Sequence, residues 1–168
     1  MSANLDIAIY NRLTGIETLT GAAATAQAAL IALLATDPDT LAPAVYNSNL
    51  NDAQLTASGV KVPIYPCVTF NQKTGTRYSE IWNCGTIAER VYYNFEVWND
   101  ARTSLPAKRM SEYIDRLLDF GLGAVDTMPV TDGKIELIET GVPMDFYYDN
   151  NLHAWAGLVR YAFTSRRW

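Results

Sequence analysis

The sequence predicts an α+β domain in which a mainly antiparallel β-sheet carries one amphipathic helix on one face. Residues 91–98 alternate apolar with mixed side chains, which is the period-two pattern of a strand with one side in a core. Residues 104–120 repeat apolar side chains every three or four positions, as an amphipathic helix does. Strand-like segments come in clusters rather than in strict alternation with helices, and this favours an antiparallel sheet.

The predicted central strand has two different faces. One face is apolar, β-branched or aromatic and suits a core: Val91, Tyr93, Phe95 and Val97. The other face mixes aromatic and polar groups: Tyr92, Asn94, Glu96 and Trp98. We therefore expect the second face to be partly buried or to meet a partner.

The helix that follows has clear boundaries and one apolar stripe. Asn99-Asp100 interrupts the strand, and Pro106 fits the first helical turn, where its missing N–H costs nothing. The apolar stripe consists of residues spaced by three or four: Met110, Ile114, Leu117 and Leu118. Gly121 is expected to end the helix, because glycine readily adopts the positive φ of that position.

The chain is expected to form a single domain over residues 1–168, helical in residues 1–43 and a sheet with the central helix in residues 44–168. A first helix is predicted from a cap at Asn4 to near Gly15, and a second from Gly21 to the stop at Asp37-Pro38. The second helix contains an apolar, Ala-rich run, which predicts a buried helix. The run is shorter than the roughly 20 residues that span a bilayer, so we expect no membrane contact.

The other strands are separated by turn and loop signals. Four strand-like segments are predicted: residues 44–46, 64–70, 135–139 and 155–163. Residues 47–62 have no clean periodicity and predict a long loop. Residues 72–85 contain turn signals at Thr74-Gly75 and at 83–85, which predict a protruding hairpin. Residues 131–134 form a hairpin turn signal, and breaks are predicted at 141–143 and 149–151.

Composition excludes several classes of protein. A hydrophobic content of 49% and a charged content of 18% are ordinary for a folded globular chain. The formal net charge of -5 argues against a non-specific DNA-binding protein, which needs a basic stripe. Cys67 and Cys84 form no disulfide framework, and without a signal peptide we expect two ordinary thiols in a reducing compartment.

Candidate catalytic and metal-binding groups are sparse. His153 is the one histidine; it lies beside a turn signal, and with Cys67 and Cys84 it matches no recognised zinc spacing. Two carboxylate pairs are expected to be solvated acids: Glu136 with Glu139, and Asp145 with Asp149. We therefore predict that the protein is not an enzyme and binds no cofactor or metal.

The order and spacing of the elements from residue 44 to residue 163 carry a resemblance. An N-terminal helical part and the central helix accompany four segments: Val45-Tyr46, Tyr65-Pro66-Cys67-Val68, the strand 93–98 and the terminal strand 156–163. This layout in a small acidic protein resembles the tail terminator (tail completion) proteins of long-tailed bacteriophages.

The resemblance implies a structural virion protein that forms a ring, usually a hexamer, at the head–tail junction. Its partners would be other copies of itself, the tail tube protein, and a head connector or neck protein. DNA would pass through the ring without specific binding, and assembly would take place in the host cytoplasm. Two alternatives remain open: another phage neck or tail-tube subunit, or a small ligand-binding α+β domain.

Two sets of residues are candidates for sites in such a ring. Candidate subunit contacts come from the second face of the central strand and from residues 71–85: Tyr92, Trp98, Trp82, Arg77 and Tyr78. Candidate acids near the lumen come from predicted loops and turns: Glu80, Asp100, Asp132 and Asp149.

Overall fold

A computed structural model describes residues 2–47, 64–78, 88–118, 128–130 and 133–167. The three helices in this part of the chain are α1 (Ser2–Thr14), α2 (Gly21–Leu33) and α3 (Leu105–Leu118). Its strands are β1 (Val45–Tyr46), β2 (Cys67–Tyr78), β3 (Ala88–Asn99), β4 (Pro129–Val130), β5 (Gly133–Asp149) and β6 (Ala154–Arg167). The predicted α+β class is confirmed.

The strands form one sheet in the order β1-β2-β3-β6-β5-β4. Each neighbouring pair is antiparallel except β1 with β2, which is parallel. The sheet is therefore two long hairpins, β2–β3 and β5–β6, that meet side by side through β3 and β6. One end of the sheet, here the Trp98 end, carries Cys67, Trp98 and Asp149, whereas the other, the Tyr78 end, carries Tyr78 and Gly133.

The core lies between the helices and one face of the sheet. The sheet side chains in it are buried and mostly aromatic or β-branched: Val68, Phe70, Val91, Tyr93, Phe95, Val97, Val159, Tyr161 and Phe163. The rings of Phe95 and Tyr161 meet edge to face with centroids 5.3 Å apart. Helix α3 contributes Met110, Ile114, Leu117 and Leu118. The predicted core face of the central strand and the predicted helical stripe are both confirmed.

Two buried tyrosines connect this sheet face to the helices through hydrogen bonds. The Tyr93 hydroxyl donates to Oδ1 of Asp6 in α1 at 2.6 Å, and the Tyr161 hydroxyl donates to Oδ1 of Asp115 in α3 at 2.8 Å. Each phenol thus has an acceptor at the core boundary, as a buried polar group requires.

Helix α1 packs by its apolar side and ends where the sequence predicts. Its buried residues include Leu5, Ile9 and Leu13. The helix begins at Ser2, so the prediction that Asn4 caps it is wrong and Asn4 lies within the first turn. Gly15 has a φ of +83°, and a Cβ there would stand 2.8 Å from Cδ1 of Ile31. The positive φ favours glycine here, and a larger residue would also have to displace the end of the Ile31 side chain.

Helix α2 is buried on one side only. Ala26, Gln27 and Leu30 are buried, whereas Ala22 and Ala32 are exposed. The prediction of a buried Ala-rich helix is therefore wrong for the outer side. Alanine is the strongest helix former and its small side chain exposes little apolar surface, so an Ala-rich helix tolerates water on one side. None of the described helices is long and apolar enough to cross a membrane.

Two strands continue through positions where the sequence predicts turns. Strand β2 runs through Thr74-Gly75, with a register shift between Gln72 and Thr74. Strand β5 runs through residues 141–143, with register shifts on both sides of Val142. The bulges absorb these residues without ending the strand, and the outer position of β5 suits proline. Strands β4 and β5 pair antiparallel on either side of residues 131–132, which lie outside the described residues, and the break after Asp149 is as predicted.

Candidate functional site

The sheet has a second face, opposite the core. We call this the second face; its residues lie in cross-strand rows along β2, β3, β6 and β5: Cys67, Thr69, Tyr92, Asn94, Glu96, Trp98, Ala156, Leu158, Arg160, Ala162, Asp145 and Tyr147. The apolar cluster that the described residues form on this face contains no helix residue. From the sequence, we expect this face to be partly buried or to meet a partner.

A small apolar cluster lies on the second face at the Trp98 end. Its buried members are small residues around one indole: Ala44, Cys67, Trp98, Ala154 and Ala156. Trp98 is 5% exposed and meets the Tyr147 ring edge to face, with centroids 6.4 Å apart. Tyr147 itself is 44% exposed. The Trp98 indole is thus buried within the cluster, and the exposed aromatic surface beside it is the Tyr147 ring.

Acidic groups surround this aromatic surface. Burial raises the pKa of Tyr147, and the charges of Glu96, Asp149 and Asp145 raise it further. Burial likewise raises the pKa of Tyr65 to about 12, with added effects from Cys67, Asp149 and Asp100. Two of the predicted lumen acids, Asp100 and Asp149, are therefore close to the same tyrosine at the Trp98 end.

Basic groups lie further along the sheet. The Arg160 Nε donates to Oδ1 of Asn94 at 2.9 Å, and the Arg90 guanidinium lies 5.5 Å from the centroid of the Tyr92 ring. The last cross-strand rows at the Tyr78 end bring together the backbones of Arg77, Glu89, Ala88, Arg166 and Lys134. Charge thus changes sign along the strands, from acidic at the Trp98 end to mainly basic at the Tyr78 end.

Cys67 is a free, fully buried thiol of the second face. Burial raises the pKa of the thiol to about 12, and the charge of Glu96 acts in the same direction. A thiol with this pKa stays protonated at neutral pH and is a poor nucleophile. Among the described residues, no three His, Cys, Asp or Glu side chains are grouped to hold a metal ion.

The comparisons with known proteins concern the fold. No protein-family model and no curated protein sequence matches the chain. The fold resembles that of a virion protein. The similar chain comes from the virion of the native gene transfer agent (GTA) particle, with a TM-score of 0.61 and 13% sequence identity. The match covers 98% of this chain and 96% of the GTA chain, so the likeness extends over the whole fold.

The five predicted contact residues have different positions in the fold. Tyr92 is half-buried on the second face, and Trp98 is buried within the chain. Arg77 and Tyr78 are the last residues of β2, and their backbones pair with β3. Residues 79–87, which contain the second half of the predicted hairpin, lie outside the described residues. Trp82 lies outside the described residues.

The predicted lumen acids are only partly within the described chain. Asp100 is exposed just after β3. Asp149 ends β5, where its Oδ1 accepts the backbone N–H groups of Asn151 and Leu152 at 2.8 and 3.0 Å. It therefore also shapes the turn into β6. Glu80 and Asp132 lie outside the described residues, as does the predicted long loop from residue 48 onward.

The exposed tyrosines of β5 are not among the contact residues predicted from the sequence. Tyr147 and Tyr148 are 44% and 42% exposed. Tyr148 meets the Trp155 ring edge to face, with centroids 5.4 Å apart. The available signal was the run of three aromatics between Asp145 and Asp149, which places large rings on both faces of one strand.

Proposed function

We propose that this protein is a virion structural protein, and specifically the tail terminator of a phage-like particle with a long tail. The observation that carries the proposal is the fold shared along nearly the whole chain with a GTA virion protein. The order of elements that resembles tail terminators supports it independently. In this proposal the protein assembles in the host cytoplasm and resides at the head–tail junction of the virion.

The assembled form in this proposal is a ring that caps the tail tube and joins it to the head connector or neck protein. The ring is a hexamer, the usual number of subunits in the proteins it resembles. A closed ring places one surface of each subunit against a different surface of the next. Tyr92, Arg77 and Tyr78 are candidate contact residues, together with Trp82. The Trp98 indole is buried, so we propose that it supports the contact indirectly, by packing against the exposed Tyr147 ring.

The charge distribution suits a channel for DNA. The charges of Asp100 and Asp149 both act on Tyr65 at the Trp98 end. The charges of Asp145, Asp149 and Glu96 act on Tyr147 at the same end. Acidic walls repel phosphate groups, so a duplex can slide past without being held. We propose that the Trp98 end of the second face borders the lumen.

The mass of the purified protein in solution and electron microscopy of the same sample test this function. We expect a particle of several 18.6 kDa chains that appears as a single ring with a central hole. When added to growing tail tubes, the ring should stop their elongation and occupy one end. Spontaneous growth into long tubes would favour a tail-tube subunit instead. A stable monomer that binds a small molecule would overturn the proposal in favour of a ligand-binding domain.

A further inference from the structure

One loop presents an exposed leucine in an unfavourable backbone conformation. Leu41, in the loop between α2 and β1, is 80% exposed, the highest value among the large apolar side chains that the structure describes. Its φ is +58°, a left-handed conformation that leucine rarely adopts because its Cβ crowds the following carbonyl oxygen. Burial within the chain does not offset this cost, since the side chain is in solvent. Conformations held in this way are typical of binding sites, so Leu41 is a candidate contact residue.

Hydrogen bonds around Asp37 hold this loop in one shape. We call residues 36–43 the Leu41 loop. The Leu41 N–H donates to the Asp37 carbonyl oxygen at 2.9 Å. Oδ1 of Asp37 accepts the N–H groups of Asp39 and Thr40, each at 2.9 Å. The Leu41 side chain is thus presented on a preformed loop, which loses little conformational freedom when it binds.

The β5 edge of the sheet carries aromatic and basic groups on its helix side. Tyr148 is 42% exposed, and its ring meets Trp155 edge to face with centroids 5.4 Å apart. Phe146 lies on the same face of β5 two residues earlier, and the Lys108 Nζ is 5.7 Å from the centroid of its ring. We call these four residues the Tyr148 patch. Its aromatic rings suit an apolar side chain such as Leu41.

The Leu41 loop and the Tyr148 patch lie at the same end of the sheet but at opposite edges. A cross-strand row joins Tyr148, Trp155 and Asn99, and the register of β2 with β3 extends this row to Pro66. The Pro66 carbonyl oxygen accepts the N–H of Ala35, directly before the Leu41 loop, at 2.8 Å. At this end of the described sheet, β1 is the edge strand on one side and β5 on the other, since β4 pairs only with the far end of β5.

The two surfaces also have complementary charges. The chain between Asp100 and Glu112 has three exposed bases and no acid: Arg102, Lys108 and Arg109. The Leu41 loop contains no base, and Asp39 is its exposed acid. Because side chains alternate along β5, Asp145 and Asp149 lie on the second face and not on the side of the Tyr148 patch. An acidic loop with an apolar side chain therefore matches a basic patch with aromatic rings.

We infer that the Leu41 loop of one copy binds the Tyr148 patch of the next copy around the ring. This inference rests on the proposed ring and names a contact that closes it. Rotation about a ring axis along the strands leaves the position along the strands unchanged, so contacting surfaces must be level, as these two are. A contact between unlike surfaces is heterologous and repeats until the ring closes. Leu41 then packs on the aromatic rings, and Asp39 faces Lys108, which favours the correct partner.

Substitutions of the exposed leucine provide the first test. Leu41→Gly removes the side chain while glycine suits the positive φ, so the chain should fold as well as the wild type. We expect Leu41→Gly and Leu41→Lys to raise the dissociation constant of the ring by about tenfold or more. Ile16→Lys changes another residue that is 64% exposed, and it should leave assembly unchanged. Folded Leu41 variants that assemble as tightly as the wild type would overturn the inference and leave the proposed function intact, whereas a monomeric wild type would overturn both.

Charge exchange is a second test, and it identifies the partner surface. Asp39→Lys and Lys108→Glu should each weaken the ring, and the two changes together should restore part of the lost affinity because the charges are again opposite. Asp39→Lys with Arg116→Glu is the matched control, since Arg116 is an exposed base further along α3 and the net charge is the same. Ultracentrifugation over a dilution series at low salt measures the four variants. Equal affinity of both double variants would show that the Leu41 loop does not bind the Tyr148 patch.

Discussion

The guanidinium of Arg12 binds both carboxylate oxygens of Glu17 across the turn that joins α1 to α2. Its Nε lies 2.8 Å from Oε2 and its Nη2 lies 2.7 Å from Oε1. The Gln27 amide of α2 donates to the carbonyl oxygens of both Arg12 and Glu17, at 2.8 and 3.0 Å. The Arg12 and Glu17 side chains are only 5% and 14% exposed, so this bidentate pair is a largely buried link between α1 and the turn that follows it.

Removal of one member of this pair should destabilise the fold strongly. Glu17→Ala leaves the buried guanidinium without its carboxylate, and we expect a loss of about 3–5 kcal/mol in the free energy of unfolding. The double variant Arg12→Met with Glu17→Leu should lose less, since it removes both buried charges together. Urea unfolding of the three proteins measures the difference. A double variant less stable than Glu17→Ala would contradict this account.

Core packing of α3 gives a second prediction. Ile114 and Leu117 are 0% and 4% exposed. Replacement of either by alanine should lower the free energy of unfolding by about 2–5 kcal/mol, as for other buried large-to-small changes. Leu105 on the same helix is 51% exposed, so Leu105→Ala is the matched control and should cost less than about 0.5 kcal/mol. Urea melts decide it, and losses below about 1 kcal/mol at both buried sites would refute the assigned face.

A third prediction concerns acid stability and the loop before β1. Burial alone would raise the pKa of Asp37, but hydrogen bonds from the Thr40 N–H, the Tyr46 hydroxyl and the Asp39 N–H outweigh it and hold the pKa below 3.8. A carboxyl with a lowered pKa in the folded state stabilises above the unfolded pKa, and this contribution is lost as pH falls through the folded value. Asp37→Asn should therefore lose more stability at pH 7 than at about pH 3.

Chemical unfolding of the wild type and Asp37→Asn at the two pH values measures this effect. Asp39→Asn is the control, because the side chain of Asp37, not that of Asp39, accepts the three bonds. Equal losses at both pH values for Asp37→Asn would show that the carboxylate charge has no such role.

A fourth prediction is that Cys67 and Cys84 form no required disulfide. Cys67 is a free thiol within the apolar cluster of the second face. Serine or alanine at either position should still give a folded protein. Thiol titration of the unfolded, unreduced protein should find both thiols, and in the native protein Cys67 should react only after unfolding because of its raised pKa. Recovery of no free thiol would refute the prediction.

Patterns within single elements could be predicted from the sequence, whereas relationships between elements could not. The apolar face of β3 and the stripe of α3 follow from local periodicity, and both are in the core. The full lengths of β2 and β5 depend on pairing with β3 and β6, which overrides the local turn signals at Thr74-Gly75 and 141–143. The exposed edge at Tyr147 and Tyr148 depends on strand order. Strand order is a non-local property that no spacing in the sequence expresses.

The last prediction concerns DNA, and it separates an acidic lumen from a basic one. A basic lumen would hold the duplex, because each neutralised phosphate releases counterions and adds affinity. An acidic lumen would let the duplex slide. The net charge of -5 per chain and the acids near the Trp98 end favour the second case, although the rows at the Tyr78 end carry Arg77 and Arg166.

We therefore expect the purified oligomer to bind duplex DNA no more tightly than a neutral protein of the same size in a mobility-shift assay at about 50 mM salt. The double variant Asp100→Lys with Asp149→Lys should bind more tightly and lose that affinity as salt is added, because it places cations where the proposed lumen has acids. Glu112→Lys at an exposed position of α3 matches the charge change of either single exchange, Asp100→Lys or Asp149→Lys, and should have a smaller effect than either. Submicromolar, salt-sensitive binding by the wild type would show that the ring holds the genome, and the acidic lumen would then be wrong.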